Sequence, residues 1–381
     1  GVWNLCVESL EVVNEKTIRV HLKEENPRSK YLTSLLLVPI ASKDRWSTIV
    51  EEQGENFLEY KNWNPEEWEA SGPYTLVYAS PDRYTFERVE DYWGREIGWH
   101  FAPKYVMIGY VGGEDVAYRV MKDYEGDYSE ALGRTSAAIE WLTSQPDVLG
   151  CWDIEASPAL MMMPFHTHLV LPNFGNPLLR NQWLREACAY AIDYQKSIDV
   201  SFVGMASRTN PSLIATTVPA LVEKYMDKEV MYRTFECDTI SGAPVIKYDP
   251  EKAVSILKEH CQGSIEEGWT YNGQKVGPWK IPVVSDWVSC VKMTEVVANG
   301  FSAIGIPSEV VSESYTLWDN DVTTANFDWT WFCTGVDVGP NALLDTYTDF
   351  FATPFVGPWG GSMARYPTYF TEDYPEMPNT A

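Results

Sequence analysis

The stretch from residue 240 to residue 333 alternates helix and strand signals, and this order constrains the fold more than any other feature of the chain. Asp249 provides an N-cap and Pro250 a first-turn residue, so a helix is predicted to begin there. The apolar run 281–284 is typical of a buried strand, and the helix-spaced segment after it ends at Gly305, before a further strand. Helices that alternate with strands in this way predict an α/β lobe.

The first part of the chain reads as paired strands. Residues 7–23 and residues 74–89 each contain two runs of alternating apolar and polar side chains around a polar turn, which predicts two β-hairpins. The other predicted elements are a strand at 104–109, a helix at 114–125, a buried strand at 159–173 and helical spacing over 178–200.

Size and charge narrow the function classes. A chain of 381 residues is too long for one compact core, so two lobes or domains are expected. The net charge of −25 makes nucleic acid an improbable partner, since such a surface repels phosphate backbones. The apolar stretches all fall well short of the ~18 residues that a membrane span needs.

Six segments, in matching order, resemble signature segments of family 5 of the extracellular solute-binding proteins, the dipeptide, oligopeptide, nickel and oligosaccharide binders of ABC importers. The segments are VESLEVVNEKTIRVHLK (7–23), SGPYTL (71–76), DYWG (91–94), LREACAYAID (184–193), YDPEKAVSIL (248–257) and GFSAIGIPSEV (300–310).

The resemblance implies an α/β, two-lobed periplasmic-binding-protein-like fold with a ligand cleft between the lobes. Residues 1–167 would form lobe one, 168–332 lobe two, and 333–381 would return to lobe one, with parts of lobe one lacking at both termini. It further implies a monomeric binding protein, not an enzyme, that delivers its ligand to a membrane ABC permease. The expected location is periplasmic or extracellular, either free or anchored to the membrane through a segment before residue 1.

Candidate ligand contacts lie where strands end. Asp286 and Trp287 follow the predicted strand 281–284, and ligands of open α/β sheets gather beyond the carboxyl ends of strands. Asp286 could instead cap the next helix. Trp329 and Trp331 are two positions apart on a predicted strand, so their side chains share a face that either stacks on a ligand or packs the lobe. If they stack on a ligand, Trp331→Ala should weaken binding with little change in fold.

The choice of ligand rests on aromatic and carboxylate side chains. In peptide-binding relatives an Asp near the position of Asp337 pairs with the ligand amine, but Pro340 follows here one residue sooner than in that motif. Asp337 could instead accept a sugar hydroxyl or cap a turn. Trp359 lies in a Gly-Pro-Trp-Gly-Gly segment, and the chain holds 16 Trp in all. These features favour an oligosaccharide; a peptide is the alternative within the family, and a carbohydrate-active enzyme is the alternative outside it.

No cofactor and no structural metal are expected. His166 and His168, two positions apart on a predicted strand, are the one pair that could share a metal ion, and no third ligand is indicated nearby. The seven Cys are scattered without a CxxC pair, as is usual for small buried side chains.

Overall fold

A computed structural model describes residues 7–23, 40–61, 63–123, 125–128, 136–144, 166–204, 206–208, 214, 219–240 and 242–335. Its strands are β1 (Val7–Asn14), β2 (Thr17–Leu22), β3 (Tyr74–Ser80), β4 (Arg83–Arg88), β5 (Tyr105–Gly109), β6 (His166–Pro172), β7 (Cys237–Ile240), β8 (Ala243–Ile246), β9 (Gln262–Ser264), β10 (Gly268–Tyr271), β11 (Gln274–Lys275), β12 (Trp279–Val284), β13 (Ser308–Glu313) and β14 (Trp329–Gly335).

Ten α-helices lie within these ranges. They are α1 (Lys43–Gln53), α2 (Glu114–Lys122), α3 (Ser136–Ser144), α4 (Gln182–Ala191), α5 (Tyr194–Phe202), α6 (Pro219–Tyr225), α7 (Lys228–Thr234), α8 (Pro250–His260), α9 (Val288–Ala303) and α10 (Tyr315–Thr324). Short 3-10 helices cover Gly54–Glu59, Pro65–Glu67, Trp93–Ile97 and Pro177–Arg180. Within the described ranges, none of the helices combines the length and apolar character that crossing a membrane requires.

The chain divides into two compact units, Ser34–Gly112 and the remaining residues on either side of it. These boundaries differ from the predicted lobe boundaries at residues 167 and 332, which stay a prediction. Within the Ser34–Gly112 unit, β3, β4 and β5 form an antiparallel sheet in that order. Trp63 stacks on Tyr84 of this sheet, with ring centroids 5.8 Å apart.

Both predicted hairpins are present. β1 pairs with β2 around the turn after Asn14, and β3 pairs with β4. In the first hairpin Leu10 faces Val20 and Val12 faces Ile18, as strict alternation requires.

The larger unit contains a parallel pair and an antiparallel pair of strands. β12 and β13 run parallel, with α9 as their crossover, which is the arrangement that the alternating pattern predicts. β6 pairs antiparallel with β14, so that Trp331 lies opposite Val170. The Thr330 hydroxyl on β14 donates to the Pro282 carbonyl of β12 at 3.4 Å. These contacts bring β14 beside the parallel pair.

Two clusters of buried side chains form the core of this unit. The first joins α4, α8 and α9 to β12 and contains Leu184, Leu257, Phe301 and Trp329. The second surrounds Trp331 and consists of Val283, Val284, Cys290, Met293, Trp318, Val322 and Phe327. Cys188 and Cys290 are buried thiols, as expected for scattered cysteines, and burial raises the pKa of Cys188.

Two predicted elements differ from the observed ones. The helical spacing over 178–200 is divided into a 3-10 turn, α4 and α5, because the Asp193 side chain accepts the Lys196 amide at 2.9 Å and caps a new helix. Of the predicted strand 159–173, β6 covers His166–Pro172, and residues 159–165 lie outside the described residues. Asp249 caps α8 by accepting the Lys252 amide, as predicted.

Candidate ligand-binding site

The candidate site lies at the carboxyl edge of the parallel strands β12 and β13. Because the strands are parallel, the segments that follow Val284 and Glu313 leave the sheet at the same edge. The Ser285 amide donates to the Glu313 carbonyl at 2.7 Å and ties the two segments together. α9 and α10 both begin at this edge, immediately after these segments.

Four aromatic side chains meet at this edge. The Trp287 ring lies 5.0 Å from Trp331, 6.1 Å from Trp318 and 5.9 Å from Tyr315 between ring centroids. Trp331 and Trp318 are buried, Trp287 is half-buried, and Tyr315 is 55% exposed. The cluster therefore grades from a dry interior to a solvent-facing aromatic surface.

Asp286 is exposed beside this cluster and is not the N-cap of α9, which corrects the capping alternative drawn from the sequence. The N-cap position falls on Trp287, one residue later, and the Asp286 Oδ1 accepts a hydrogen bond from the Ser285 hydroxyl at 3.4 Å. Asp286 thus presents its carboxylate at the surface of the edge that Trp287 also occupies.

A carboxylate from a distant segment caps α9 instead. Glu114, the first residue of α2, is 3% exposed, and its Oε2 accepts the Ser289 amide at 3.3 Å. Its Oε1 accepts the Ser289 hydroxyl at 2.8 Å. Sequence analysis missed Glu114, because a Glu at the start of a helix is ordinarily a solvent-exposed first-turn residue.

Trp329 and Trp331 lie in the core. Trp329 is 5% exposed and packs on Phe301 and Trp279, at centroid distances of 5.1 and 5.7 Å. Trp331 is 2% exposed and its ring packs against the ring of Trp287. Packing, the alternative left open for this pair, accounts for both positions in this structure, and ligand contact by either residue stays a prediction.

Glu313 places a second carboxyl near the edge, at the end of β13. Burial raises the pKa of this carboxyl and the negative charge of Asp321 raises it further, while Lys280 acts in the opposite direction. Its Oε2 is buried without a hydrogen-bond partner among the described residues. The ionised form is therefore disfavoured in the folded protein.

The remaining predicted site residues are placed as follows. The His168 ring packs between Phe202 and Trp331, at centroid distances of 4.8 and 5.7 Å. Across the described part of the chain, no group of three or more His, Cys, Asp and Glu side chains could hold a metal ion. The His166 side chain, Asp337 and Trp359 lie outside the described residues.

The family model described as bacterial extracellular solute-binding proteins, family 5 Middle, matches residues 3–353. The chain belongs to this family. A relative of this family 5 protein, the uncharacterized protein y4wM of Sinorhizobium fredii, is 21% identical in an alignment of 311 residues that covers 74% of this chain and 45% of that protein.

Solved structures share its fold at low sequence identity. A periplasmic oligopeptide-binding protein of Thermotoga maritima with bound mannohexaose has a TM-score of 0.74 at 23% identity, over 95% of this chain and 63% of that one. AppA of Bacillus subtilis with a nonapeptide has a TM-score of 0.66 at 14% identity, over 97% and 66%. NikZ of Campylobacter jejuni with Ni(L-His) has a TM-score of 0.65 at 15% identity, over 96% and 65%.

These matches establish the two-lobed α/β fold of the family for this family 5 protein. The chain spans less than two thirds of the Thermotoga protein and under half of the Sinorhizobium relative.

Proposed function

We propose that this chain is the ligand-capturing part of an extracellular solute-binding protein and that its ligand is an oligosaccharide. The observation that carries the proposal is the half-buried Trp287, flanked by exposed Asp286 and Tyr315 at the carboxyl edge of β12 and β13. Family membership supports ligand binding in general, and this edge supports the choice of ligand.

The side-chain chemistry of this edge suits a sugar ring. Sugars present apolar C–H faces, which stack on indole and phenol rings. Their hydroxyl groups donate hydrogen bonds, which carboxylate oxygens accept. Trp287 and Tyr315 supply the rings, and Asp286 supplies the acceptor. A peptide site would make more use of backbone pairing and of charges at the ligand termini.

The other predicted ligand residues differ in the support that they have. Trp331 is buried and packs against Trp287, so it supports the binding surface from behind, whereas Trp329 is buried in the other core cluster and stays a proposed contact on the grounds of its sequence position. Asp337 and Trp359 stay proposed ligand contacts on the grounds of their sequence positions.

The mannohexaose complex of the Thermotoga protein favours the same ligand class, while the AppA nonapeptide complex favours the alternative, an oligopeptide. A carbohydrate-active enzyme is the second alternative, although the family is one of binding proteins. Cleavage of an added oligosaccharide would support the enzyme, and stoichiometric retention of the intact sugar would exclude it.

In the proposed mechanism, a monomeric protein binds its ligand between lobe one (1–167 and 333–381) and lobe two (168–332). Ligand contacts to both lobes favour the closed state, which docks on a membrane ABC permease. This role places the protein in the periplasm or outside the cell, and no cofactor or metal takes part.

Calorimetric titration with mannohexaose, cello-oligosaccharides and a dipeptide mixture tests the ligand class. Sugars should bind, and Trp287→Ala should weaken that binding by ~1–3 kcal/mol, as loss of an aromatic anchor does. Asp286→Asn should also weaken it, because a neutral amide oxygen accepts a hydrogen bond from a sugar hydroxyl less strongly than a carboxylate does.

Trp183→Ala is the matched control, since Trp183 is likewise half-buried but stacks on His260, with centroids 4.6 Å apart. It should leave the affinity unchanged. Binding of peptides alone, or unaltered sugar binding by both Trp287→Ala and Asp286→Asn, would contradict the proposal.

A further inference from the structure

The contact between Glu114 and Ser289 joins two helix N-termini that are 175 positions apart in the sequence. Both residues are buried, Glu114 at 3% and Ser289 at 2% exposure. Two hydrogen bonds, of 3.3 and 2.8 Å, attach both carboxylate oxygens to one residue in the first turn of α9. A buried carboxylate held in this way is a specific and directional contact.

α9 needs such an acceptor from outside. The first amides of a helix have no partner within it and are ordinarily capped by a Ser, Thr, Asp or Asn side chain at the N-cap. α9 has Trp287 at that position, and an indole can donate a hydrogen bond but cannot accept one. The carboxylate of Glu114 supplies the missing acceptor and also places negative charge at the positive end of the helix.

Gly113 brings the two segments into backbone contact next to this cap. Its φ of 129° lies in a region that L side chains rarely adopt, and a Cβ there would lie 3.3 Å from the Asp286 carbonyl oxygen. The start of α2 therefore lies against this part of the chain at two adjacent points, the Asp286 backbone before α9 and Ser289 in the first turn of α9.

We infer that Glu114 is a positioning residue that fixes the Asp286–Trp287 loop and latches lobe one to lobe two in the closed state. The latch rests on the proposed function and its lobe boundaries, which place α2 in lobe one and α9 in lobe two. Such a contact forms without ligand, so it stabilises the closed conformation of the ligand-free protein. A fraction of the ligand-free molecules is therefore closed. Removing the contact shifts that population towards the open form.

Small-angle X-ray scattering of the ligand-free chain tests the latch. Glu114→Ala and Ser289→Ala should each increase the radius of gyration, and the double variant should show no further increase, because the contact between these two side chains is absent from all three. Glu114→Gln should restore a smaller radius, since its amide oxygen still accepts a hydrogen bond. Asp115→Ala is the matched control: it removes an exposed carboxylate from the next position of α2 and should change nothing.

Hydrogen exchange of the peptide around Ser289 separates a latch from a simple helix cap. Loss of a cap alone should lower protection there about tenfold and leave the radius of gyration unchanged, and that result would overturn the latch. An unchanged radius with unchanged protection would overturn it as well. Because the scattering is measured without ligand, its result does not depend on whether the ligand is a sugar or a peptide.

Discussion

At the residue scale, Glu313 makes a testable contribution to stability. Its pKa in the folded protein is raised, first by burial and then by the charge of Asp321. The folded state therefore holds the proton more tightly than the unfolded state does. The resulting stabilisation is fully present below the unfolded pKa and is lost as the pH rises through the folded pKa.

Glu313→Gln removes this titration. As the pH rises from the ordinary pKa of a Glu carboxyl through the raised pKa of the folded state, the variant should lose less stability than the unaltered protein. Urea unfolding at several pH values measures the difference. Glu309→Gln is the control, because Glu309 is an exposed carboxylate on the same strand, and its profile should follow that of the unaltered protein. Identical profiles for both variants would contradict the assigned effect of burial.

At the scale of elements, β14 connects the two core clusters, since Trp329 packs in one and Trp331 in the other. The expectation that Trp331→Ala would leave the fold little changed is wrong, because Trp331 is 2% exposed and contacts Trp287, Trp318 and His168.

Trp331→Ala should lower the free energy of unfolding by ~3–5 kcal/mol, the usual cost of truncating a buried aromatic residue to Ala. Chemical denaturation measures this change. Trp93→Ala offers a comparison at a Trp that is 54% exposed and should cost much less. Equal losses from the two variants would show that Trp331 is not part of a packed core.

Elements specified by local signals could be predicted from the sequence. The hairpins follow from alternation around polar turns, and α8 follows from Asp249 and Pro250. The division between α4 and α5 was missed, because helical spacing continues across Ile192 and Asp193 while the Asp193 cap interrupts it. Strand ends and the family resemblance were enough to place Asp286 and Trp287 at one edge of a sheet.

The contact of Glu114 with Ser289 was beyond prediction, because nothing in either segment records a partner 175 positions away. The same holds for Tyr315, whose place beside Trp287 depends on the pairing of β12 with β13. Burial of Trp329 and Trp331 likewise depends on tertiary packing, since alternation specifies only that they share a face.

At the scale of the whole molecule, family membership explains an α/β chain that presents aromatic and carboxylate groups at the ends of parallel strands. Members of one fold can carry different ligands, as the mannohexaose, nonapeptide and Ni(L-His) complexes of the structural relatives illustrate. The proposed ligand of this chain, an oligosaccharide, is therefore argued from the chain's own side chains and not from the ligands of its relatives.

Native mass spectrometry of the purified protein distinguishes a sugar ligand from a peptide ligand, because a captured ligand can survive purification and its mass identifies its class. We expect one bound molecule per chain, with a mass that fits an oligosaccharide and with no cleavage during incubation. A bound peptide mass, or release of shortened sugars, would contradict it.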